Sequence, residues 1–150
     1  MPFWRIITNQ VLIAGLISWL LAQSLKVPID RIRNHRTNWS LLFSAGGMPS
    51  SHSSLVTSTA LAIGLYTGFD TPLFALATAV AMIVIYDATG IRRQAGIHAH
   101  TINLMMEELF KGNPINEKQL KEVLGHTPGE ALGGVVLGVI VALLVWVVWR

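Results

Sequence analysis

Cysteine is absent from this 150-residue chain, and charge is scarce. Without thiols there are no disulfides and no thiolate metal ligands, and redox usage says nothing of compartment. Charged residues make up 13% of the chain, against about 25% in an ordinary soluble domain, so half of the expected solubilising surface is missing. Lipid is therefore the expected solvent for much of it. Internal repeats, low-complexity tracts and segments of strand periodicity are lacking too. The length suits one domain, taken as residues 1–150. A formal net charge of +3 raises nucleic acid as a partner. The basic residues, however, sit between hydrophobic runs and are not interleaved with aromatics, so no nucleic acid is expected. The first apolar run lacks a small-residue cleavage signature, which reads as an anchor and not as a removed signal peptide.

Hydrophobic residues make up 52% and gather in four segments. Ile6 to Leu25 is uncharged for 20 residues, Ser51 to Phe69 is rich in Leu, Ala, Ile and Gly, Thr71 to Tyr86 is short but apolar, and Ala131 to Trp149 has no polar stripe at all. A membrane-crossing helix needs about 20 apolar residues, with roughly 17 as the lower end. The first, second and fourth segments qualify and the third is marginal. The expected fold is all-α: a polytopic membrane helix bundle of about four transmembrane helices, with short amphipathic helices on the cytoplasmic side. Most of the five tryptophans lie near segment ends, as interfacial anchors do. Nine Lys and Arg residues fall between segments one and two or three and four, against two on the other side. Positive loops stay in the cytoplasm, so both termini are expected to face away from it. His98 to Phe110 and Asn116 to Leu124 suit amphipathic helices on that side. Small residues recur every four positions at Ala60, Gly64 and Gly68, at Gly129 and Gly133, and at Gly134 and Gly138. Such rows serve either a homodimer face or packing within the bundle, and the latter is favoured.

Three clusters carry chemistry. Gly46-Gly47-Met48-Pro49-Ser50-Ser51-His52-Ser53 precedes the second segment and offers free helix-start N–H groups, hydroxyls and an imidazole, which together suit an anion. A Ser-rich N-cap with a surface histidine reads equally well. Gly125-His126-Thr127-Pro128-Gly129-Glu130 precedes the fourth segment, with His126 and Glu130 spaced to share a helix face. A carboxylate on one ring nitrogen leaves the other nucleophilic. Asp87 to Gly96 ends the third segment and includes Arg92 and Arg93, whose forked donors suit phosphate oxygens. The charge-derived orientation puts all three clusters, and Lys26, on the cytoplasmic side.

These residues resemble a known family. Pro49-Ser50-Ser51-His52 looks like the second signature of the type-2 phosphatidic acid phosphatase superfamily, and His126-x-x-x-Glu130 resembles the end of its third, where aspartate is usual. Gly-Gly-Met-Pro-Ser-Ser-His, Asp-Ala-Thr-Gly-Ile-Arg-Arg and Leu-Gly-His-Thr-Pro together look like the divergent bacterial and plastid branch, over roughly residues 10 to 145. The resemblance implies a lipid phosphate phosphatase in a bacterial inner or plastid-type membrane, with no metal and no cofactor. His126 would attack phosphorus, Glu130 would orient it, and His52 would protonate the leaving group. Lys26, Arg36, Gly47, Ser50, Ser51, Asp87, Arg92 and Arg93 form the expected phosphate-binding set. The chain departs from the pattern in two places. Leu120 stands where an arginine is usual, and Arg92 and Arg93 are the expected replacements. Asn34 replaces a proline after Arg33, which leaves Arg33 and Arg36 as competitors.

Phosphatidylglycerol phosphate, phosphatidic acid and polyprenyl (pyro)phosphates all fit a site at headgroup depth. The alternative function is a non-catalytic module that binds phospholipid headgroups through the same basic surface. A transporter would need more polar residues inside the helices, and a zinc site at His98 and His100 lacks a third ligand at suitable spacing.

Overall fold

The structure of the protein is a computed structural model. It describes residues 6–35, 37–44, 46–109 and 126–149, without the side chains of 91–93, 107 and 108. Every regular element in it is helical: α1 (Gln10–Asn34), a 3₁₀ turn (Trp39–Phe43), α2 (Ser51–Thr67), α3 (Pro72–Thr89), α4 (Ile91–Leu109) and α5 (Pro128–Val148).

Local chemistry sets the boundaries. Asn9, Ser50, Thr71 and Thr127 each cap the helix after them by accepting a backbone N–H. Pro72 and Pro128 occupy first-turn positions, where the missing N–H costs nothing. Gly68 ends α2 at φ 105°, a conformation that side chains with a Cβ rarely adopt. Thr71 and the edge-to-face pair Phe69–Phe74 then turn the chain into α3.

The bundle is built around α2, which packs between α1 and α5 and also meets α3. Its interior is small and polar. Ser18, Ser53, Ser54 and Ser58 are fully buried, with Ala14, Ala62 and Ala142. The Ser58 hydroxyl donates to the Ala14 carbonyl, and Ser18 and Ser54 bond to each other across α1 and α2. On α5, Gly134 and Gly138 admit the backbone of α2: a Cβ on Gly134 would collide with the Ser50 carbonyl oxygen, and one on Gly138 would stand 2.6 Å from that of Ser54. Large side chains such as Leu76, Met82, Ile83, Leu132 and Leu144 point outward. Small residues within and bulky apolar ones without is the pattern of helices that pack in lipid.

By length and composition, three stretches can cross a membrane: Gln10–Asn34, Pro72–Met106 and Pro128–Val148. The all-helical membrane bundle read from the sequence is what the structure shows, with shifted boundaries. α1 runs nine residues past Leu25, through Lys26 and Pro28: Lys26 is buried against the segment before α2, while Arg31, Arg33 and Asn34 are exposed on the last turns. The second expected span is not among the three, because α2 has 17 residues and buries serines along its length, whereas the third, marginal in the sequence, is among them. α4 begins before the expected His98 and comes after α3 with a single residue, Gly90, between them. The expected helix from Asn116 to Leu124 lies outside the described residues.

Packing accounts for Gly134 and Gly138 within one chain, whereas Gly129 has open space at its Cβ position. Gly134→Ala should therefore destabilise the detergent-solubilised protein by about 1–3 kcal/mol through overpacking. Gly129→Ala should leave the thermal midpoint nearly unchanged, and the two melting curves make the comparison.

Candidate active site

The starts of α2 and α5 lie side by side at one end of the bundle. The N–H of Ser50 donates to the carbonyl of Glu130 at 2.9 Å, joining one helix cap to the first turn of the other. Before Ser50, Gly47 sits at φ 92° and the Met48–Pro49 peptide is cis. The segment leading into this turn is held from α1. Gln23 donates its amide to the Leu42 carbonyl at 2.6 Å, and Lys26 donates its ammonium to the Ser44 carbonyl at 2.7 Å. Lys26 is only 1% exposed and its stem lies against Gly47.

His126 enters between α3 and α5. Its backbone N–H donates to the Ala88 carbonyl at 3.0 Å, which pins it to the last turn of α3 beside Asp87. Its side chain is buried, with Nδ1 3.4 Å from Glu130 Oε2. That oxygen also accepts the Thr127 N–H at 2.9 Å, while the Thr127 hydroxyl accepts the Glu130 N–H at 3.3 Å, forming a capping box. His126 Nε2 is buried and has no hydrogen-bond partner among the described residues. The half-buried His52 ring lies 6.5 Å away, centroid to centroid, tilted by 57°. Lys26, Asp30, Arg33, Gly47 and Glu130 border an adjoining cavity of about 90 Å³. A wider cleft of about 760 Å³ beside Asn9, Tyr66 and Leu73 has tyrosine as its sole titratable side chain.

The structure thus brings together His126, His52, Glu130, Lys26, Gly47, Ser50 and Ser51, with Asp87 next to the carbonyl that holds His126. Arg36 and the side chains of Arg92 and Arg93 lie outside the described residues. Arg33 borders the cavity, a place the sequence leaves open between it and Arg36. Gln23, Asp30 and Thr127 were missed. Gln23 had a signal, an amide three residues before Lys26 inside an apolar run. Thr127 had a stronger one, since Thr-Pro-Gly-Glu is itself a capping-box sequence. That motif also suits glutamate at position 130, whose length reaches back to the cap.

Burial pushes the His126 imidazole below its ordinary value of 6.5. The Glu130 hydrogen bond and charge act upward, whereas Lys26 and His52 push further down. With Glu130 accepting at Nδ1, the tautomer assigned by this geometry leaves the lone pair on Nε2. Such a group is a neutral nucleophile near pH 7. A depressed folded pKa also links to stability. Below pH 6.5 the unfolded chain takes up a proton that the folded chain refuses, so stability is present above that pH and is lost as pH falls through the folded value. The thermal midpoint should drop between pH 7 and 5, and His126→Gln should flatten this slope relative to the parent.

Comparison with known proteins agrees with the motifs. Residues 7–141 match the family described as the Divergent PAP2 family. An uncharacterized membrane protein of Bacillus subtilis (strain 168), YuiD, is 37% identical over 151 residues, covering 93% of this chain and 96% of its own. No solved structure gives a significant match. With apolar helices long enough to cross a membrane, a Pro-Ser-Ser-His helix start and a His–Glu pair beside it, the chain belongs to the Divergent PAP2 family, a phosphatase-related family of membrane proteins.

Proposed function

We propose that this protein is a membrane-embedded lipid phosphate phosphatase that works through a phosphohistidine and requires no metal. The observation that carries the reading is the His126 imidazole, held at Nδ1 by Glu130 and unpartnered at Nε2 among the described residues, with His52 across from it. In the first step Nε2 attacks phosphorus, the P–O ester bond breaks, and His52 gives a proton to the departing alkoxide. In the second, His52 takes a proton from water, the hydroxide attacks phosphorus, and the P–N bond breaks to release inorganic phosphate. The backbone N–H groups of Gly47 and Met48, the Ser51 hydroxyl and the nearby cations stabilise charge on the phosphoryl oxygens.

Location supports a lipid substrate. The histidine pair lies at one end of the bundle, beside the starts of α2 and α5, where the headgroup of a phospholipid or polyprenyl phosphate would meet it. The bias of basic residues favours the cytoplasmic face for this end. The test is phosphate release by detergent-purified protein from a panel of lipid phosphates, with EDTA present. Release should survive the chelator and fall by at least about 10³-fold in His126→Ala. Binding of the same lipids without release would replace this reading with the headgroup-binding one. Release abolished by EDTA would remove the metal-free scheme.

A further inference from the structure

Glu130 faces two demands that meet at one atom. Its Oε2 is the carboxylate oxygen 3.4 Å from His126 Nδ1, and it also takes the Thr127 N–H at 2.9 Å. A separation of 3.4 Å is long for a hydrogen bond that must hold a ring by itself. The shorter bond to Thr127 is the one that fixes where the carboxylate points. The Thr127 hydroxyl closes the box by accepting the Glu130 N–H, so the first turn of α5 and the rotamer of Glu130 are set together. The remaining backbone bonds hold this frame to the rest of the site. His126 hangs from the Ala88 carbonyl and Ser50 from the Glu130 carbonyl, which leaves the imidazole with little freedom except rotation about its own side chain.

The geometry points to Thr127 as a positioning residue: its capping box with Glu130 orients the His126 imidazole and selects the tautomer with the free lone pair on Nε2. Thr127 does not touch substrate. It acts through Glu130, so that forming the helix start and aiming the imidazole are one event. Its consequence for turnover rests on the phosphohistidine reading above, whereas the orientation itself does not.

The decisive readout is therefore the imidazole. Histidine side-chain ¹⁵N NMR of the full chain in detergent micelles reports the tautomer and titration of His126, assigned by loss of its signal in His126→Gln. The parent should show Nδ1–H and a bare Nε2. Thr127→Val keeps the side-chain shape and removes the acceptor. Without the hydroxyl the first turn of α5 loosens, and with it the register between the Thr127 N–H and the Glu130 carboxylate, so the tautomers should mix and the His126 midpoint should move down. Thr127→Ser, which keeps the hydroxyl, should restore the parent spectrum. In a Glu130→Ala background, Thr127→Val should add no further change, because the effect runs through the carboxylate. On the lipid phosphate panel, Thr127→Val should lower kcat roughly ten- to hundredfold with little change in KM. A parent-like tautomer and titration in Thr127→Val would overturn the proposal, as would failure of Thr127→Ser to restore them or a second change in the Glu130→Ala background. If Thr127→Val does not fold, Thr127→Ala and its Glu130→Ala double variant, which also lack the hydroxyl, carry the decision with the same expected outcomes. A hydroxyl that matters only for helix stability would change the amount of folded protein and leave the His126 titration where it was. Parent protein with the expected tautomer but no phosphate release would sink the phosphatase reading and leave this one standing.

Discussion

Backbone contact between α2 and α5 is the constraint on which the rest depends. Two glycines on α5, Gly134 and Gly138, let the carbonyls of Ser50 and Ser54 approach closer than any side chain would permit. With large apolar side chains facing outward on α1, α3 and α5, water exclusion gives little force to hold the bundle in lipid. Close packing and hydrogen bonds between helices take over. The serines supply those bonds, from Ser18 and Ser54 to Ser58 and the Ala14 carbonyl. Because Gly134 lies one turn beyond Glu130, the same contact brings the two helix starts to one level. The Ser50–Glu130 backbone bond then joins them.

The chemistry arises from that juxtaposition. A helix start presents unpaired N–H groups and a positive dipole end, and two of them side by side favour an anion. α2 contributes the Gly47 to Ser51 turn and His52, and α5 contributes His126 and Glu130. α1 adds a buried lysine whose ammonium is tied to the Ser44 carbonyl, so it steadies the turn as well as lending charge. α3 contributes a carbonyl, that of Ala88, which anchors the His126 backbone. The burial that favours neutral imidazole near pH 7 comes from the same crowding of elements.

Much of this was legible in the sequence, for identifiable reasons. Apolar runs of bilayer length marked the helices, and the Ser-rich stretch before the second segment marked the start of α2. The His126–Glu130 pair survives in the structure although His126 precedes the Thr127 cap, because the Glu130 side chain reaches back past the cap to it. Other features were hidden. Nothing local distinguishes Lys26 as a buried group inside α1 from a lysine ending a span at the interface, since the difference lies in which element packs against it. Ser53, Ser54 and Ser58 of α2 carry no local sign of facing inward. They are its inner face, visible only once α1 and α5 are beside it. Arg33 and Arg36 compete in the sequence, and the end of α1 bears on the choice. Arg33 borders the cavity from the last turn of that helix, which stops at His35 with φ 54°.

The central claim is that His126 Nε2 carries the phosphoryl group between substrate and water. Phosphohistidine survives base and is lost in acid, so the direct measurement is mass spectrometry of protein quenched in alkali during turnover of a lipid phosphate. The account predicts one phosphoryl group on the peptide containing His126, lost on acidification and missing from His126→Ala. Phosphate release with that peptide unmodified, or with the group on another residue, would contradict it.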